Sequence, residues 1–238
     1  MTEAVFYQDA YLTHINALVT AVDNEWIEFD RTIFYPMGGG QPGDSGFVTR
    51  VNGTKHRVID TRKGDAQTSI MHQLDDASHD IQVGEAIELE VDWDRRYRLM
   101  KMHTGMHLLG SLIPVGVSGG AVGELKSRLD FDLGEHQVDK ESLNRELDRL
   151  IAEAHDVVIE SIEEAELEAN PDLVRTMSVQ PPRGTGEIRM VRIKDVDYQP
   201  CGGTHLRNTS EIGAMQVSKI ENKGKRNRRF HIILSNET

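Results

Sequence analysis

The sequence holds a single cysteine, Cys201, in 238 residues. One thiol cannot form an internal disulfide, which excludes a disulfide-stapled secreted domain and fits a reducing cytoplasm. Aromatic residues make up only 5%, too few to suggest a surface built for stacking on unpaired bases. No apolar run approaches the roughly 18 residues of a membrane span. The N-terminus, MTEAVFYQDAYLTH, also lacks the basic start and apolar stretch of a secretory signal. A cytoplasmic protein with no membrane partner is expected. A basic excess is missing too: 27 Lys and Arg stand against 39 Asp and Glu, for a net charge of -12. Taken alone, that argues against nucleic acid, whose phosphates call for cations.

The average conceals a pattern. Arg95, Arg96, Arg98 and Lys101 lie together, and Lys223, Lys225, Arg226, Arg228 and Arg229 crowd a second short stretch. The acidic excess gathers between Glu135 and Glu168. Such segregation permits a basic face on an acidic protein, although either cluster alone reads equally well as a solvated loop.

From Ala4 to about Asp94 short strands alternate with turn residues. INALVTAV, WIEFDRTIFY, SGFVTRV, HRVID and EAIELEVDW are separated at Asp23-Asn24, Asn52-Gly53 and Lys63-Gly64-Asp65. This spacing predicts a small barrel or sandwich. Residues 95–113 then read as a helix ended by Pro114. A glycine-rich loop, a strand over 125–133 and a helix over 138–156 follow. The last helix would bury Leu143, Leu147, Leu150, Ile151 and Ala154. Beyond VVIESI come the loop SVQPPRGTG, the strand IRMVRI and a terminal hairpin with a basic turn. The grouping predicts an α+β protein with domains at 1–93 and 94–238.

Chemistry concentrates in two places. His103 and His107 are four residues apart within a predicted helix, a spacing that puts both imidazoles on one face. Far along the chain, Cys201-Gly-Gly-Thr-His205 offers a thiolate and a third imidazole, with glycines that let the backbone curl. Three imidazoles and one thiolate suit Zn²⁺. Four protein ligands usually close a structural zinc site, whereas catalytic zinc keeps a position open; both uses stay open at this level. Thr104, not glutamate, follows His103, so the HExxH arrangement of zinc proteases is absent.

Four stretches in order, TIFYPMGGGQPGDSG (32–46), HTGMHLL (103–109), DYQPCGGTHLRNTSEIG (197–213) and ENKGKRNRRFHIIL (221–234), resemble the editing domain of alanyl-tRNA synthetase. They resemble above all its free-standing relatives, AlaX, in the medium form that keeps the glycine-rich N-terminal part. The resemblance implies a small β-barrel domain followed by a two-layer α/β editing domain of the threonyl/alanyl-tRNA synthetase type. It implies hydrolysis of mischarged Ser-tRNA(Ala), and to some extent Gly-tRNA(Ala), in trans and without ATP. It further implies one zinc ion per chain on His103, His107, Cys201 and His205.

By the same resemblance Thr32 would read the serine hydroxyl, and Gln41 with Gly39 and Gly40 would form the glycine motif of the site. Gly38 stands where the family often has serine. The zinc could activate water, stabilise an oxyanion, or hold the substrate amino group. Arg95, Arg96 and the basic turn from Lys223 to Arg229 are expected to meet tRNA phosphates. The protein is expected to be a monomer or a weak homodimer. A zinc-containing tRNA-binding module without activity, or a deacylase for another mischarged tRNA, is the rival expectation.

Overall fold

The computed structural model describes residues 1–66, 68–175 and 186–235. The chain divides into two compact units, Met1–Tyr97 and Arg98–Thr238.

The first unit opens with β1 (Glu3–Ala4), which later pairs in parallel with the short β4. Next come β2 (His14–Asp23), β3 (Trp26–Phe29), β4 (Arg31–Thr32), β5 (Gly46–Arg50), β6 (Lys55–Lys63), β7 (Ile70–Leu74) and β8 (Ala86–Val91). Six of these close an antiparallel barrel in the order β2-β3-β7-β6-β5-β8. Side chains alternate across a strand. Thus Ile27 and Phe29 of β3, and Ile87, Leu89 and Val91 of β8, all point into one core with Val19, Val48, Val58 and Leu74. In β6 the register shifts between Val58 and Asp60, a bulge that turns both Val58 and Thr61 inward. The predicted break at Asp23-Asn24 is a tight turn with Asn24 at φ 52.

Helix α1 (Trp93–Leu112) ends just before Pro114, as expected. From Leu99 to Gly110 all but one of its residues are buried, which explains why no polar face is legible there. The rest of the second unit comprises β9 (Val117–Ala121), β10 (Ser127–Asp132), α2 (Lys140–Ala152), β11 (Val157–Glu163), α3 (Glu164–Ala169), β12 (Glu187–Ile193), β13 (Asp197–Pro200), β14 (Met215–Asn222) and β15 (Asn227–Leu234). They form two antiparallel sheets, β14-β15-β10-β9 and β11-β12-β13. Helix α2 is capped by the Asp139 carboxylate, which accepts from the Ser142 N–H at 2.8 Å. It buries Leu143, Leu147, Leu150 and Ile151, and Asn144 locks it to β14 by accepting from the Val217 N–H at 2.7 Å.

Two expectations need correction. The glycine-rich loop after α1 contains the strand β9, because Gly119 and Gly120 pair with Asp130 and Leu129 of β10. Helix α2 stops at Ala152, so Ala154 is exposed in a left-handed turn at φ 56 rather than on the buried face. A further barrel strand, β7, lies between HRVID and EAIELEVDW, and its His72 faces inward. Residues 178–185 of the expected loop SVQPPRGTG lie outside the described residues.

Candidate metal centre

Helix α1 brings His103 and His107 to one face, and the chain leaving β13 curls so that Cys201 and His205 return to them. One donor atom from each lies within 4.8 Å of every other. Cys201 Sγ is 3.5 Å from His103 Nε2 and 3.3 Å from His205 Nε2. The imidazole centroids are 4.4 Å apart for His103 and His205, and 4.6 Å for His107 and His205. A tetrahedral zinc with Zn–N near 2.0–2.1 Å and Zn–S near 2.3 Å would space its donors roughly 3.3–3.6 Å apart. The two sulfur–nitrogen distances lie in that range and every other pair lies within 4.8 Å, so the set could hold one metal ion; among the described residues no second cluster of this kind occurs.

The loop that carries the sulfur is held from several sides. The Cys201 N–H donates to the Arg189 carbonyl at 3.2 Å, and the Arg189 guanidinium donates back to the Cys201 carbonyl. Gly203 N–H points at Sγ from 3.5 Å, the curl that the two glycines permit.

Behind the donors stand residues that sequence reasoning missed. Asp197 Oδ2 lies 2.9 Å from Nδ1 of His107 and also accepts from the Gln199 amide at 2.7 Å. Arg175 Nε approaches the other carboxylate oxygen at 3.4 Å. Thr104 Oγ1 lies 3.2 Å from Nδ1 of His205 and accepts from the Leu206 N–H. The signal for Asp197 and Gln199 was present in strand alternation: Asp197, Gln199 and Cys201 are two apart, so all three face one side of β13 and its extension. Thr104 carried no such signal beyond its place between the two histidines.

The electrostatics follow from burial and contact. Burial would raise the Cys201 thiol, but the neighbouring His103 and His205 hold it well below the usual thiol range. Burial would likewise depress His107, yet the bond to Asp197 and the nearby sulfur push it up to about 10. Burial and the adjacent His103 take His205 down to about 3. The Asp197 carboxyl, though buried, is held below its usual range by His107, Gln199 and Arg175. The thiolate and the carboxylate favour a dication, and His107, held protonated, must release its proton for its ring to become a donor.

Residues 3–95 match the profile described as tRNA synthetases class II (A). Residues 188–231 match that of the threonyl and alanyl tRNA synthetase second additional domain. The alanyl-tRNA editing protein AlaX-M of Methanosarcina acetivorans is 35% identical over 243 residues, covering 98% of this chain and 99% of the relative. The chain belongs to the AlaX-M family. The AlaX-M protein of Saccharolobus solfataricus is 30% identical over 97% of this chain and 98% of its own length. The alanine–tRNA ligase of Sulfurisphaera tokodaii is 34% identical over 92% of this chain, but only a quarter of that ligase (25%) is covered. The AlaX-M length thus corresponds to one segment of the larger enzyme.

The glycine motif of this AlaX-M chain lies in the first unit. Gly38 and Gln41 exchange two backbone hydrogen bonds, 3.0 and 2.9 Å, around Gly39 at φ 57 and Gly40 at φ 82. Two successive positive φ values define a type I′ turn and select glycine at both positions. The tip is exposed, whereas the Gln41 side chain is buried. Two residues on, a Cβ at Gly43 would sit 2.1 Å from the Thr61 carbonyl oxygen, so glycine alone lets the loop lie against β6.

Two expected site residues are engaged with partners inside the first unit. Thr32 is fully buried. His72 Nδ1 faces the Ile27 carbonyl, a pure acceptor, at 3.1 Å, so Nε2 accepts and the Thr32 hydroxyl donates to it at 2.8 Å. The Phe34 N–H occupies a lone pair of the same oxygen at 3.0 Å. Thr32 thus bridges His72 and the Phe34 backbone within the barrel. Arg96 is also fully buried. Its guanidinium is spent on the Asp44 carboxylate and on the Ala10 and Ile33 carbonyls, which removes it from phosphate binding. Arg95 is half-buried and donates to the Gly43 carbonyl at 2.8 Å.

In the terminal hairpin, residues 223–226 form the exposed turn between β14 and β15. Its cations are not equal. Arg229 is bound by both carboxylate oxygens of Asp130, at 2.7 and 2.8 Å. Arg226 pairs with Asp132 at 2.9 Å, and Lys223 with Glu221 at 3.4 Å. Arg228 donates to the carbonyls of Gly224 and Asn227.

Proposed function

We propose that the chain hydrolyses the ester joining a wrong amino acid to tRNA(Ala), acting in trans and without ATP. Its substrate is Ser-tRNA(Ala) and, to some extent, Gly-tRNA(Ala), and one zinc ion is held by His103, His107, Cys201 and His205. The observation that carries this reading is the convergence of those four donors within 4.8 Å, in a chain whose full-length relatives are named alanyl-tRNA editing proteins. When bound, zinc supplies Lewis acidity at the ester or its attacking oxygen.

The chain's own groups do the rest. Cys201 is kept as thiolate between two imidazoles. Asp197 keeps the proton of His107 on Nδ1, which leaves Nε2 as the donor nitrogen, and Thr104 does the same for His205. The Gly39–Gly40 tip offers exposed backbone where RNA can approach without meeting side chains, and Gln41 orients water or ester. Lys223, Lys225, Arg226, Arg228 and Arg95 take phosphate contacts, which fix orientation without reading sequence. Serine exceeds alanine by one hydroxyl. A synthetase pocket excludes it poorly, but a site that hydrogen-bonds that hydroxyl rejects alanine by leaving its own polar group unpaired.

Incubation of the purified protein with Ser-, Gly- and Ala-tRNA(Ala), with and without a chelator, tests the proposal. The first two should lose their amino acid, the third should keep it, and chelation should stop the reaction until zinc is restored. Intact Ser-tRNA(Ala) after incubation with zinc-loaded protein would refute it.

A further inference from the structure

We infer that Asp197 is the positioning residue of the metal centre, holding the His107 ring in one tautomer and supplying the negative charge that a buried dication with a single thiolate still lacks. This rests on the reading of the four-donor cluster as a metal site and extends it to how firmly and how specifically the ion is held.

The geometry points one way. His107 sits on α1 and offers two ring nitrogens; Asp197 Oδ2 claims Nδ1 at 2.9 Å. The carboxylate is itself immobilised, since Gln199 donates to Oδ2 at 2.7 Å and Arg175 approaches Oδ1 at 3.4 Å. The Asp197 side chain has no exposure at all, while that of Arg175 is 35% exposed, so the carboxylate's charge acts inside and the guanidinium's is screened by water. A dication bound by three neutral imidazoles and one thiolate would leave one positive charge uncompensated in a buried place, a state that proteins avoid. Asp197 removes it. A hydrogen-bonded carboxylate behind a ligand histidine also raises the basicity of the donor nitrogen. The Thr104 hydroxyl at Nδ1 of His205 fixes a ring but brings no charge. The centre is therefore asymmetric, with His107 as its anchored ligand.

The placement follows from local structure. Asp197 opens β13, Gln199 lies two residues on, and Cys201 leaves its end. One short strand thus delivers a ligand and the group that orients a different ligand on α1.

The test is titration of the intact, metal-free protein with Co²⁺ against a competing chelator, followed by the visible d–d and thiolate charge-transfer bands. Wild type, Asp197→Asn and Gln199→Leu are compared. Asp197→Asn should bind Co²⁺ about 10–100-fold more weakly with displaced d–d bands. Gln199→Leu, which frees the carboxylate to move and removes the amide 3.2 Å from Nδ1 of His107, should lose less. Wild-type affinity and an unchanged spectrum in Asp197→Asn would overturn the assignment. Should Asp197→Asn not fold, Gln199→Leu decides: weakened uptake supports the assignment and undiminished uptake overturns it. Wild-type protein that takes up no Co²⁺ would instead bring down the metal reading itself.

Discussion

The Thr32 hydroxyl and His72 Nε2 meet 2.8 Å apart within the barrel, and neither residue has any exposed surface. Burial drives the His72 pKa from 6.5 down to about 4, so the folded protein keeps this ring neutral where an unfolded chain would protonate it. The stability that this shift contributes is complete above pH 6.5 and is lost as the pH falls towards 4. The loss should be about 3 kcal/mol across that window. Both tryptophans, Trp26 and Trp93, belong to the first unit, so urea unfolding followed by their fluorescence reports on it. Wild type should weaken between pH 6.5 and 4 more steeply than a His72→Gln variant, and parallel curves would contradict this.

Thr32→Val should separate structure from specificity. It removes the donor to His72 and the acceptor of the Phe34 N–H, which should cost about 1–3 kcal/mol. Relative deacylation of Ser- and Ala-tRNA(Ala) should stay as in wild type. Loss of that discrimination in a folded variant would assign Thr32 to substrate recognition.

Arg96 and Asp44 form a buried ion pair with extra bonds to backbone carbonyls. Removing one partner leaves an uncompensated buried charge. Asp44→Ala or Arg96→Met should therefore each cost about 3–5 kcal/mol. The double variant should cost well under the sum, as a double-mutant cycle by urea titration would reveal.

The hairpin cations should split into two groups. Lys225→Ala should weaken tRNA binding and reduce the slope of log K against log salt by about 1, with no change in melting temperature. Arg229→Ala should lower the melting temperature, because it strips a bidentate partner from Asp130, which Arg229 holds below its usual pKa range. Binding titrations over a salt series, paired with melting curves, check both.

Much of this was legible in the sequence, and most of what was not shares one cause. His103 with His107, and Cys201 with His205, are short-range patterns, and a helical or glycine-bounded spacing is enough to find them. Strands such as 86–91 show their inward residues by alternation. The residues that misled take their meaning from distant partners. Arg96 looked like one member of a basic run until Asp44, 52 residues away, was seen to occupy it. The bond between Thr32 and His72 joins residues 40 apart, which no local pattern shows. Asp197 passed unnoticed because its partner, His107, is 90 residues back. The strand β9 was missed for another reason: glycine contributes no alternation, so only the pairing with β10 defines it.

The metal donors lie on two stretches of chain, and 98 residues separate His103 from Cys201. At translation rates of about 5–20 residues per second, about 5–20 s pass between the synthesis of these two halves. An ion shared by all four donors would be fully held only once Cys201 and His205 have followed the two histidines of α1 out of the ribosome.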